Sequence, residues 1–150
     1  MRETMKKIEF TLERTILAPL DEVYDGWLNP KVPGNPWNAA DRFLLNPKVD
    51  GFFYLTMKGT AHYGRFTAVE RPRRVQHTWV SPNTLGHEST VTVSFEKQEK
   101  GTLMTLVHSD LPDDDKARSH EKGWNHFLGI FQSNLEALHA SKADSETHAP

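Results

Sequence analysis

The stretch from Leu106 to Phe127, LVHSDLPDDDKARSHEKGWNHF, carries His108, His120 and His126 with Trp124 among them. Histidine can act as a general acid or base, as a metal ligand, or as a neutral hydrogen-bonding group in an apolar cavity. A metal site is the most demanding of these. Zinc takes three or four protein ligands, and a chain without cysteine offers only histidine and carboxylate. On an ideal helix His126 lies about 600° of rotation beyond His120, hence on a different face. Asp113, Asp114 and Asp115 are better explained as a helix opening, where negative charge complements the dipole by about 0.3 to 1 kcal/mol per group. Neither a metal nor a cofactor is expected.

Catalysis fares little better. The sequence has no serine nucleophile elbow, no phosphate loop and no His-Glu-x-x-His. Glu121 follows His120 directly, and adjacent helix positions diverge by about 100° and do not face each other. No catalytic residue is assigned. The remaining chemistry is that of a neutral, hydrogen-bonded histidine facing a ligand or buried water, since a buried polar group without a partner costs about 1 to 3 kcal/mol.

Periodicity says which elements position these residues. Ala117, His120, Trp124, Phe127, Leu128, Phe131, Leu135 and Leu138 form a stripe at three- and four-residue steps, the pattern of a long helix lying on an apolar surface. Gly123 and Gly129 inside it each cost about 1 kcal/mol relative to Ala and point to close packing or a bend. Before it, GFFYLTM, GRFTAVE, RRVQHTWVS, STVTVSFEK and GTLMTLVHS are rich in β-branched and aromatic residues and separated by turn signals. In strands, residues two apart share a face. Met104, Leu106 and His108 therefore line up, with His108 closing its strand, as do Val75, His77 and Trp79, and also Val91, Val93 and Phe95.

At the N-terminal end, IEFTLERTI alternates as a half-buried strand with Arg14 on its apolar face. APLDEVYDGWLNP switches to helical spacing between Pro19 and Asn29-Pro30. The Pro-rich KVPGNPWNAAD predicts a loop with at most a short helix around Trp37. Beyond Ala140, SKADSETHAP is small, polar and aperiodic, so the chain divides into a single domain over 1–140 and a disordered tail over 141–150.

With 150 residues, 37% hydrophobic and 25% charged, and a net charge of −2, the chain has the profile of one soluble domain. Its basic residues are interspersed with acids and form no stripe for nucleic acid. The opening MRETMKKIEF has no apolar run, so neither a signal peptide nor a membrane span is expected and a cytoplasmic location follows.

The segments RTILAPLDEVYDGWLNP, GRFTAVERPRRVQHTW, STVTVSFEKQEKGTLMTLVHSDLPDD and HEKGWNHFLGIFQSNL together resemble the START-related SRPBCC superfamily. Within it they are similar to the bacterial branch that resembles the C-terminal domain of the activator of the heat-shock-protein-90 ATPase. The resemblance covers residues 8 to 140. It implies an α+β helix-grip fold, like that of the birch-pollen allergen: a curved antiparallel sheet of six or seven strands around a long C-terminal helix, with short helices after the first strand. A cavity usually lies between sheet and helix. The chain departs from the family where Trp37 is followed by Asn38 instead of a second aromatic, and where Asp50-Gly51 replaces the common Gly-Gly; both changes are expected at the cavity mouth.

Phase and resemblance together nominate a ligand-binding set: Trp27, Trp37, Phe53, Leu55, Phe66, His77, Trp79, Leu106, His108, His120, Trp124 and Phe127. Taken singly, each of them is more often core than ligand contact. The favoured function is binding of a small, largely apolar molecule, aromatic or lipid-like, between sheet and C-terminal helix. The alternatives are a polyketide-cyclase-like enzyme using a cavity histidine and a chaperone-interacting module. The reading favours a binding protein over an enzyme, and the chaperone is the weaker partner, because the N-terminal domain with which the eukaryotic activator grips it has no counterpart in the sequence.

Overall fold

The computed structural model describes residues 6–147. Seven strands form one curved antiparallel sheet: β1 (Lys7–Ile16), β2 (Arg42–Leu45), β3 (Phe52–Met57), β4 (Thr60–Glu70), β5 (Arg74–Trp79), β6 (Ser89–Gln98) and β7 (Gly101–Pro112). Their spatial order is β1-β7-β6-β5-β4-β3-β2, so the first strand closes against the last and all other neighbours follow one another in sequence, the longest of their connections running from β5 to β6 through a 3-10 turn at Pro82–Thr84. Two short helices, α1 (Leu20–Trp27) and α2 (Pro36–Ala39), fill the interval between β1 and β2, and α3 (Asp115–Thr147) runs across the sheet. No described helix is long and apolar enough to cross a membrane.

Alternation decides the inward face. On β6, Val91, Val93 and Phe95 are buried, and on β7, Thr102, Met104, Leu106 and His108 are. They share one core with Trp124, Leu128, Phe131 and Leu135 of α3, and Ala117 of the same helix is also buried. Arg14, on the apolar face of β1, ties the sheet edge to this helix: its guanidinium donates to Gln132 Oε1 at 3.2 Å and Asn125 Oδ1 at 2.9 Å. Gly64 lets β4 and β5 approach, since a Cβ there would sit 2.1 Å from the Thr78 carbonyl oxygen.

Four boundaries differ from the sequence expectation. Strand β7 continues to Pro112 because Ile8 of β1 pairs with Leu111, which is fully buried, so His108 lies within the strand and not at its end. Strand β4 starts at Thr60 rather than Gly64, because Thr60 pairs with Met57 across a tight turn at Lys58-Gly59. Helix α3 starts only at Asp115, with Asp114 Oδ1 accepting the Lys116 N–H at 2.8 Å. Its other end reaches Thr147, past the predicted tail boundary, because no Gly or Pro interrupts the chain there and Lys142 and Ala143 favour helix. The last three residues of the predicted tail, 148–150, lie outside the described residues. Leu138, assigned to the buried stripe, is 46% exposed, because the helix outruns the sheet after Leu135.

Candidate functional site

The twelve nominated residues separate into two groups. Trp27, Trp37, Phe53, Leu55, Phe66, His77, Leu106 and His108 are all fully or almost fully buried. They interlock between the sheet and α3: ring centroids lie 5.2 Å apart for Trp27 and Phe131, 5.2 Å for Trp37 and Phe53, and 4.8 Å for Phe53 and His77. Edge-to-face contacts at such distances are those of a packed core. The other four, Trp79, His120, Trp124 and Phe127, border open space.

That space is a pocket of about 300 Å³ between the β3–β4 turn and the first turns of α3. Trp79, Trp124, Phe127 and Met57 make its apolar walls, and Lys58, Thr60, His62, Asn83, Ser119 and His120 supply the polar rim. Gly123 also lines it, and a Cβ there would meet nothing within 4 Å. The glycine that the helix pattern assigns to close packing or a bend instead leaves the pocket open. A small, mostly apolar concavity with a few convergent polar groups is the common form of a small-molecule site.

Two hydrogen-bond chains hold the inner wall. Trp124 Nε1–H donates to His108 Nδ1 at 3.0 Å. An indole can only donate, so Nδ1 carries a lone pair and the proton sits on Nε2. His108 Nε2–H then donates to Ser89 Oγ at 2.8 Å, and Ser89 passes its own hydrogen to the Trp79 carbonyl at 2.6 Å. In the second chain Trp79 Nε1–H donates to His120 Nε2 at 3.3 Å, while His120 Nδ1–H donates to the Ala117 carbonyl at 2.9 Å. The two imidazoles approach edge to face at 5.0 Å. Both are thereby neutral and saturated: protonating either would set an N–H against an indole N–H.

Electrostatics point the same way. Burial pushes the His108 pKa well below the ordinary histidine value, reinforced by the neighbouring His120 and His77. Burial also lowers His120, against the opposing pull of the Ala117 carbonyl. His77, caged by Trp37, Phe53, Phe66 and Trp79, is held at about 4 by burial, and its Nε2 has no hydrogen-bond partner among the described residues. His126, the third histidine of the opening stretch, is exposed and off the buried stripe.

Met57, Lys58, Thr60, His62, Asn83, Ser119 and Gly123 line the pocket without having been nominated, and His62 is the most buried polar residue among them. His62 is 6% exposed, lines the pocket and lies 5.1 Å from Trp79 by ring centroids. Stepping the alternation of β4 back from Phe66 through Gly64 reaches His62, but only if the strand is begun before the glycine. Asn38 and Asp50, expected at the cavity mouth, do not line the pocket: Asn38 lies within α2, its backbone N–H donated to the Asn35 cap and its side-chain amide to the Pro30 carbonyl, and Asp50 pairs with Arg65.

A larger open groove, of about 680 Å³, lies at the opposite end of β7, between Leu17–Asp21 and the β6–β7 turn Lys97–Gly101. None of the interlocked aromatics borders it. The smaller pocket alone combines buried aromatic walls with fixed polar atoms, and it is the candidate site.

Residues 17–136 match the model of the family described as Activator of Hsp90 ATPase homolog 1-like protein. The chain belongs to that family. Its fold is the helix-grip arrangement of the START-related SRPBCC superfamily. Among curated proteins none matches the sequence. Similar solved structures include protein MLL2253 from Mesorhizobium loti, at 18% identity and a TM-score of 0.72, covering 87% of this chain and 98% of that one. CalU16 from Micromonospora echinospora is similar at 22% identity and a TM-score of 0.70, covering 94% and 85%. DynU16, a protein of the dynemicin biosynthetic locus, is similar at 18% identity and a TM-score of 0.72, covering 85% of this chain and 47% of its own. At these identities the likeness shows the fold alone.

Proposed function

We propose that this family member binds a small, largely apolar aromatic molecule in the pocket between the β3–β4 turn and α3. The observation that carries the reading is the pocket's construction. Trp79 and Trp124 face the opening while their indole N–H groups are turned away and consumed by His120 and His108, so the ligand meets their apolar surfaces. Fixed aromatic walls lose little conformational entropy when a flat ligand seats on them. Much of the space between sheet and helix, the site expected from the sequence, is filled by interlocked rings, which supports a binding volume nearer the surface.

The rival enzyme reading draws less support, because among the described residues no carboxylate lines the pocket and two of the nearby histidines have both nitrogens engaged. A chaperone contact rests on the family description and on no feature of the pocket.

The test combines native mass spectrometry of freshly purified protein with titration of a neutral aromatic probe, naphthalene. A co-purified small molecule, or saturable one-to-one quenching of tryptophan emission that is lost in Gly123→Leu, supports the reading. No bound molecule together with unchanged emission would sink it.

A further inference from the structure

We propose that His62 makes the pocket selective for aromatic molecules bearing a hydroxyl, whose O–H is donated to the imidazole Nε2. The proposal rests on the pocket being a binding site and adds the chemistry of the ligand's polar end. His62 Nδ1 lies 3.0 Å from the Thr60 carbonyl oxygen. A carbonyl can only accept, so Nδ1 carries the hydrogen and Nε2 presents a lone pair. That Nε2 has no hydrogen-bond partner among the described residues and, unlike Nε2 of His77, is not sealed from solvent. The ring is held by the Thr60 bond on one edge and by Trp79 at 5.1 Å. Burial lowers the His62 pKa, reinforced by His120 and opposed by the Thr60 carbonyl, which keeps the acceptor form in place at neutral pH.

Two of the other polar lining groups cannot take this role. His120 has both nitrogens engaged, and Lys58 has only hydrogens to donate. The Ser119 and Thr60 hydroxyls and the Asn83 amide oxygen keep acceptor lone pairs, so loss of the preference in a His62 variant is what assigns it to His62. A plain hydrocarbon or an aryl methyl ether seated on Trp79 and Trp124 would displace water from His62 Nε2 and leave it unpaired. Sites built around a required hydrogen bond reject analogues that lack the donor more strongly than apolar walls reject a missing methyl group.

The experiment titrates 2-naphthol, 2-methoxynaphthalene and naphthalene into the full chain near neutral pH. Binding of 2-naphthol should exceed that of either analogue by roughly tenfold or more. In His62→Phe the three affinities should converge, so that the preference for 2-naphthol is lost. A second readout needs no variant: the ¹⁵N resonance of His62 Nε2 should move upfield on adding 2-naphthol, which donates to it, and downfield with naphthalene, which leaves it unpaired. Equal affinities in the wild type, or a preference that survives in His62→Phe, would overturn the role of His62 while leaving the pocket intact. Failure of all three probes to bind would overturn the binding reading beneath it.

Discussion

Gly123 offers a test in which stability and binding move in opposite directions. It sits inside α3, where Gly is about 1 kcal/mol less favourable than Ala, and an added Cβ would meet nothing within 4 Å. No steric penalty offsets the helix gain, so Gly123→Ala should stabilise the protein by about 0.5 to 1 kcal/mol, raising Tm by roughly 2 to 4 °C for a chain of this size. Leu has nearly the helix propensity of Ala, so Gly123→Leu should also fold stably. Its isobutyl group, however, enters a pocket of about 300 Å³ beside Trp124 and Phe127. Affinity for 2-naphthol should fall by at least about tenfold, an overpacking effect on the ligand. Thermal melts followed by circular dichroism, run beside tryptophan-emission titrations on the same samples, measure both. A destabilised Gly123→Ala would show that Cβ meets packed structure, and unchanged affinity in Gly123→Leu would show that the ligand sits elsewhere.

Acid should weaken the fold. His77 has an ordinary value of 6.5 and is held at about 4 in the folded chain, so between those values the unfolded state binds more protons and stability rises with pH. The contribution is whole above about pH 6.5 and is lost as pH falls toward 4. It amounts to about 3 kcal/mol, with His62, His108 and His120 acting in the same direction. Urea midpoints compared at pH 7.5 and 4.5 should show the drop, less steep in His77→Phe; a flat profile would contradict the buried neutral state. His108→Ala removes the acceptor of Trp124 and the donor to Ser89 and should cost about 2 to 5 kcal/mol in chemical denaturation. Gly64→Ala, forced against the Thr78 carbonyl, should cost at least about 2 kcal/mol, and a neutral result would mean that β4 and β5 can separate there.

The fold was legible where one period ran without interruption. Alternation in β5, β6 and β7 marked the inward residues, and the α3 stripe from Ala117 to Leu135 is the face that the structure buries. Period alone does not report where an element stops: the pairing of Leu111 with Ile8 lengthened β7, and the turn at Lys58-Gly59 moved the start of β4. The same limit governs the site. His77 and Trp79 share a face and are two residues apart, yet one is caged by rings and the other opens onto the pocket. Which of the two fates a residue meets depends on where α3 crosses and where the β3–β4 turn reaches, and both are long-range. His62 fell outside the reading because Gly64 looked like a strand boundary, whereas it marks a close approach of backbones.

The central claim is that the small-molecule site lies between the β3–β4 turn and α3. Intermolecular nuclear Overhauser effects between bound 2-naphthol and the protein test this most directly. Contacts to the Met57 methyl group, Gly123 Hα and the Phe127 ring are expected, because all three line the pocket. Contacts to Leu17, Leu20 and Pro72 instead would place the ligand in the open groove at the opposite end of β7 and contradict the account.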